Sequence, residues 1–187
     1  MARRRVVVVT GRAGVGKTTI GRRLAARLSP CMFLDTDTCT EDVVRAGLVL
    51  AGRSPRDRDS PTYKQTFRDS VYRTVFAIAN DNPNLDCVIV GPFTQELHDK
   101  DWAETLEHML DASVQVVYVR CPDNDVLKAR IRARANPRDE FKLDNWEAHI
   151  TKGGAEVQPA CRYVEVSTLD AEETAVDDLA AMFNAGV

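Results

Sequence analysis

No apolar run in this chain approaches the ~20 residues needed to span a bilayer. The longest valine stretch, Val6–Val9, is too short for the core of a signal peptide. Cysteines are few and unsuited to pairing: Cys31, Cys39, Cys87, Cys121 and Cys161 are odd in number, widely spaced and without a C-x-x-C. That pattern excludes a disulfide framework and a zinc ribbon, and it predicts free thiols in a reducing, cytoplasmic setting. His98, His108 and His149 are the only histidines, and none has zinc-ligand spacing. Neither sign of charge dominates; a net charge of −3 gives no global field toward nucleic acid or a membrane. Repeats and low-complexity tracts are absent. What remains is ordinary globular composition over 187 residues, a length suited to one domain that buries roughly 70% of its unfolded surface.

Within that length, strand-like and helix-like segments alternate. β-Branched or apolar runs predict strands at 5–10, 31–35, 86–91, 114–120 and 161–166. Helical spacing predicts helices at 17–28, 38–51, 62–80, 98–110, 123–135, 139–150 and 171–184. The stripe Phe67, Val71, Val75, Ile78 and the stripe Val176, Leu179, Ala180, Phe183 face a core. Alternation of this kind predicts an α/β protein of three layers, a parallel five-stranded sheet between helices. Two polar segments interrupt the scheme, Gly52–Pro61 and Ala135–Glu140. Each is either a solvated linker or a loop at the mouth of the sheet, where substrate contacts and lids are found.

The first strand runs into Gly11-Arg12-Ala13-Gly14-Val15-Gly16-Lys17-Thr18, a full G-x-x-x-x-G-K-[ST] loop, and a helix follows. Strand, glycine loop and helix N-terminus in that order make a phosphate cradle. Gly11, Ala13, Gly14, Val15, Gly16 and Thr19 supply its backbone, Lys17 reaches the β- and γ-phosphates, and the Thr18 hydroxyl can ligate Mg²⁺. The second strand ends Phe33-Leu34-Asp35-Thr36-Asp37. Two carboxylates at a strand's carboxyl end beside that loop can serve a metal and an acceptor hydroxyl; alternatively Asp35 or Thr36 caps the next helix. Arg130 and Arg134 share a helix face and Arg138 follows. They form either a solvated basic face or a clamp on adenine and phosphate. The third strand ends Val88-Ile89-Val90-Gly91-Pro92-Phe93, with no acidic residue for a second metal ligand.

Residues 11–25 together with Phe33–Asp37 resemble the shikimate and gluconate kinase branch of P-loop kinases. The helix Arg130-x-x-x-Arg134 leading through Asn136-Pro137-Arg138-Asp139 to Lys142-Leu143 and Trp146 resembles the arginine-bearing lid of small P-loop kinases more broadly. The resemblance implies sheet order 2-3-1-4-5, ATP, Mg²⁺, a lid at about 134–146 and an acceptor side at about 38–80. It implies Asp35 near the metal, Asp37 near the acceptor hydroxyl, Arg130 against adenine, and Arg134 or Arg138 at the phosphates. Arg68 falls where shikimate kinases place an acceptor-binding arginine, although its surroundings differ. Gly91, Pro92 and Phe93 would shape a more apolar acceptor pocket than the glycine-rich turn of those enzymes.

The expected activity is transfer of the γ-phosphate of ATP to a hydroxyl, foremost of a small molecule, by a monomer or dimer. Two alternatives stay open. Residues 52–73 hold Arg53, Arg56, Arg58, Lys64, Arg68 and Arg73 against Asp57, Asp59 and Asp69, a local excess suited to an anionic acceptor such as a nucleotide or a hydroxyl-bearing base in DNA. A nucleotide-hydrolysing switch is the other; the absent N-K-x-D element argues against a GTPase.

Overall fold

Four consecutive valines can be buried on both sides only in the middle of a sheet that helices cover twice over. A computed structural model, which describes residues 3–58, 60–153, 156–169 and 172–185, places them there. Strand β1 (Arg5–Thr10) is central, hydrogen-bonded in parallel to β3 (Asp86–Val90) on one side and β4 (Ser113–Arg120) on the other. Outside these lie β2 (Cys31–Asp35) and β5 (Val164–Ser167), giving the order β2-β3-β1-β4-β5. The order, the parallel sense and the strand count are those expected.

Side chains alternate along β1, so the valines divide between two cores. Val6 and Val8 pack with α2 (Thr36–Leu50), α3 (Pro61–Asn80) and α4 (Trp102–Leu110). Val7 and Val9 pack with α1 (Lys17–Arg27), α5 (Asn124–Ala133) and α8 (Glu172–Asn184). All five cysteines are free thiols. No helix among the described residues is long and apolar enough to cross a membrane.

Boundaries differ from expectation for local reasons. Helix α2 starts two residues early because Asp35 caps it, accepting from the backbone N–H of Asp37 and Thr38. The helix expected from residue 98 starts at Trp102, after a 3₁₀ turn over Glu96–His98. The stretch 139–150 is not one helix: α6 (Glu140–Asp144) and α7 (Trp146–Ala148) are separated at Asn145, whose φ of −115° and ψ of 40° are non-helical, and a π turn follows over His149–Gly153. Strand β5 starts three residues late, at Val164. The first residue of the last expected helix, Ala171, lies outside the described residues.

The turn after β3 is built around Phe93. This residue takes a left-handed φ of 38° and is wholly buried. Its ring lies 4.6 Å from Tyr72, 5.4 Å from Trp102 and 6.0 Å from Phe76, centroid to centroid. Gly91 makes room for it: a Cβ there would stand 2.7 Å from the Phe93 ring and 2.9 Å from Thr36 Cγ2. A non-glycine residue with positive φ persists only where packing over-determines it. Phe93→Ala should therefore cost about 3–5 kcal/mol. Urea unfolding of wild type and variant measures it, and a loss below about 1 kcal/mol would show that the aromatic cluster does not hold this turn.

Candidate active site

The carboxyl ends of β1, β2 and β3 deliver the loop, the carboxylates and the acceptor turn to one edge. At Gly11, Gly14 and Gly16 φ is 141°, 83° and 102°, and a Cβ on Gly11 would sit 2.3 Å from the Val119 carbonyl oxygen. Only glycine follows that path, and the path turns the loop's backbone N–H groups inward. Helix α1 begins at Gly16 with no side-chain cap and no acidic residue in its first turn. By contrast α2, α3 and α5 are capped by Asp35, Ser60 and Asp123. An uncapped N-terminus facing a glycine loop is a site for anionic oxygens.

Lys17 folds over the loop, its Nζ donating to the Arg12 carbonyl at 2.8 Å. Thr18 Oγ1 donates to Asp35 Oδ2 at 2.9 Å, while Asp35 Oδ1 accepts the two cap bonds. The cap and the contact with the loop thus coexist in one buried carboxylate. Asp37 stands exposed in the first turn of α2, on the wall of the same cleft as Lys17. A hydroxyl and a carboxylate are hard oxygen donors that suit Mg²⁺, so the residues fit that ion. Among the described residues no group of three or more His, Cys, Asp or Glu forms a metal cage.

Two clefts meet here. One, of about 270 Å³, runs from Ala13, Lys17 and Thr18 past Asp37 to Arg68, Gly91 and Pro92. The other, of about 360 Å³, lies along Gly14, Gly16 and Thr19 to Arg130. Lys17, Thr18 and Arg134 line both. Val15 lies in neither; it is buried, and its carbonyl accepts from Thr168. Arg130 reaches the second cleft while donating to the Thr168 hydroxyl and carbonyl, each at 2.7 Å. Phe93, expected in the acceptor pocket, does not line the first cleft; it is buried behind it. Arg68 reaches the cleft already engaged, with Glu96 at 2.6 Å, Gln95, and the Tyr72 ring beneath it. The side chains of Arg138 and Asp59 lie outside the described ones.

Sequence reasoning gave no role to Thr168 or Asp139, and it named Arg58 only as one of several basic residues suited to an anionic acceptor. Thr168 is buried and ties Arg130 to the loop through the Val15 carbonyl; its signal was its place one residue past the last strand. Asp139 is buried between Arg134 and Lys142. Burial alone would raise its carboxyl, but the two cations outweigh that and hold it below the usual range. Arg58 lines the first cleft with its side chain 9% exposed.

Residues 6–152 match the model of the AAA domain family. The chain belongs to that family. Among similar proteins of the AAA domain chain is a shikimate kinase of Bradyrhizobium diazoefficiens, 29% identical over 163 residues, which covers 87% of this chain and 70% of the relative. A sugar kinase structure from Janibacter sp. matches with TM-score 0.64 at 15% identity, over 97% of this chain and 95% of that one. The APS kinase of Mycobacterium tuberculosis, solved with AMPPNP and APS, matches with TM-score 0.59 at 16% identity, over 98% and 99%. The AAA domain chain thus has the P-loop kinase fold.

Burial lowers the Lys17 ammonium from an ordinary 10.5 to about 8; Arg134 and Lys142 push the same way, and Asp37 and Asp35 oppose them. The nucleotide-free protein therefore loses this charge as pH rises through about 8. Phosphate oxygens favour the charged form, so the bound state holds the proton more tightly than the free state. Above that pH, ATP binding should take up a proton, and affinity should fall about tenfold per pH unit. Calorimetric titrations across this range in two buffers of different ionisation heat measure the uptake, which Lys17→Met should abolish. Wild-type binding without proton uptake would show that Lys17 does not face the phosphates.

Proposed function

We propose that this protein transfers the γ-phosphoryl group of ATP to a hydroxyl of a small molecule. The observation that carries this reading is the meeting of two clefts at Lys17, Thr18 and Arg134. The cleft along α1 receives the nucleotide, the cleft past Asp37 receives the acceptor, and the shared residues stand where a group would pass between them. The relatives' names fit, since kinases of shikimate, sugars and APS share this fold with different acceptors. Acceptor pockets of about 270 Å³ suit a small molecule. Five free thiols suit a reducing compartment.

The chemistry requires positioning and charge neutralisation more than covalent catalysis. The loop N–H groups and the α1 N-terminus hold the phosphates. Lys17 and Arg134 offset the charge that gathers on the moving group. Asp37 accepts the proton of the acceptor hydroxyl as its oxygen bonds to phosphorus and the bond to the ADP oxygen breaks. Thr18, with Asp35 directly or through water, would hold Mg²⁺, which when bound draws charge from the phosphate oxygens. Arg130 borders the nucleotide cleft where a base could lie against it.

A transfer screen with γ-labelled ATP over sugars, hydroxy acids and nucleosides tests the reading. Lys17→Ala should lower turnover on the order of 10²–10³-fold with an unchanged circular dichroism spectrum. Asp37→Asn should lower turnover while leaving ATP affinity intact, and Asp35→Asn should raise the Mg²⁺ requirement. Label released only as free phosphate, with every acceptor present, would replace the kinase by a nucleotide-hydrolysing switch. Full turnover in a folded Lys17→Ala protein would remove the assignment altogether.

A further inference from the structure

The acceptor cleft carries more positive charge than the nucleotide explains. Seven of its lining residues are Lys or Arg and three are Asp, in a chain whose net charge is −3. Most of the cations are committed. Lys17 and Arg134 stand at the junction with the nucleotide cleft, Lys142 and Arg134 hold Asp139, and Arg68 is held by Glu96 and Gln95. Arg58 is different. It sits in the loop between α2 and α3, with its side chain 9% exposed. Its Nη2 donates to Glu41 Oε2 at 2.8 Å and its guanidinium lies over the Tyr63 ring, 5.2 Å from the centroid. Its Nε and Nη1 are buried with no hydrogen-bond partner among the described residues. A charged donor left unpaired inside a protein is costly, so such a group in a cleft wall marks where an acceptor of hydrogen bonds is missing.

We infer that the acceptor is an anion and that Arg58 receives its charged group, a carboxylate or a phosphate, while the hydroxyl to be phosphorylated lies toward Asp37. This rests on the kinase reading and narrows it. Two features argue for a small molecule over a polynucleotide. The donors are buried, out of reach of a phosphate backbone that tracks a surface. The exposed arginine of the same loop, Arg56, already faces Glu140 at 3.2 Å. The tyrosine under the guanidinium holds it flat and adds to the desolvation that makes the site selective for negative charge.

The test needs no knowledge of the acceptor. With the nucleotide site saturated by AMPPNP, the full chain is titrated with malonate and, separately, with inorganic phosphate, and affinity is read by calorimetry. Wild type should bind at least one of the two saturably, and which one binds tells carboxylate from phosphate. Arg58→Gln should weaken that binding roughly 10- to 100-fold, the value of a hydrogen bond to a charged group, with AMPPNP affinity unchanged. Glu41→Gln should act in the opposite sense: it removes the negative charge that competes for Arg58 and should tighten the anion. It also serves if Arg58→Gln fails to fold. If neither anion binds wild type, or if both variants bind as wild type does, the inference is overturned. A drop in melting temperature with unaltered anion affinity would show that Arg58 only anchors its loop, and tight binding of a single-stranded oligonucleotide in place of both small anions would shift the acceptor to nucleic acid. Failure of the kinase reading is separate, since it would appear as absent transfer with the anion result intact.

Discussion

One buried carboxylate fixes the geometry on which everything else depends. Asp35 is 7% exposed and has no basic partner at ion-pair distance among the described residues. Three hydrogen bonds replace its water: one from the Thr18 hydroxyl and two from the first turn of α2. Such replacement is the condition under which a charge tolerates burial. Because β3 lies between β1 and β2, the Thr18–Asp35 bond spans the width of a strand and ties the phosphate loop to the acceptor side. The same carboxylate sets where α2 begins, and so where Asp37 points. The two clefts are therefore registered to each other by a single side chain.

The far wall is held differently. After α5 the chain breaks at Asn136-Pro137, and the segment that follows is held by charge and by one ring. Asp139 joins Arg134 to Lys142. Trp146 is 6% exposed within the core around α1 and α5, with the Lys128 ammonium 5.4 Å from its ring. The exposed Arg56–Glu140 pair across to the acceptor loop adds little, about 0–1 kcal/mol at most. This wall is anchored at Trp146 and clasped by Asp139, one contact in the core and one at the cleft.

Much of this was legible beforehand because it follows from periodicity and composition. Val6–Val9 had to be central, the glycine loop had to follow it, and Asp35 and Asp37 had to emerge beside that loop. The rest depended on which side chains meet across elements that sequence spacing does not connect. Phe93 read as a pocket wall since it follows Gly91-Pro92; a left-handed φ turns it into the aromatic cluster instead. Arg68 read as the acceptor arginine by its place in α3, but Glu96 and Gln95 come from the turn after β3, more than twenty residues away, and hold it. Arg58 was one charge among several in a loop, and only burial separates it from Arg56. The division of 139–150 into short pieces hinges on the dihedrals of Asn145.

The charge distribution links these parts. A protein with net negative charge lines this one cleft with seven Lys or Arg against three Asp, and low-dielectric walls concentrate that field on the opening. Before ligands arrive the cations there act on one another, and Lys17 shows it, since Arg134 and Lys142 add to the burial that lowers it. Asp139 limits this repulsion by holding Arg134 and Lys142. On the proposed reading, arriving phosphates would reverse the sign of the local interaction, attracting Lys17 and competing with Asp139 for Arg134. On the proposed reading the two clefts favour anions from both sides, nucleotide phosphates in one and the acceptor's charged group in the other.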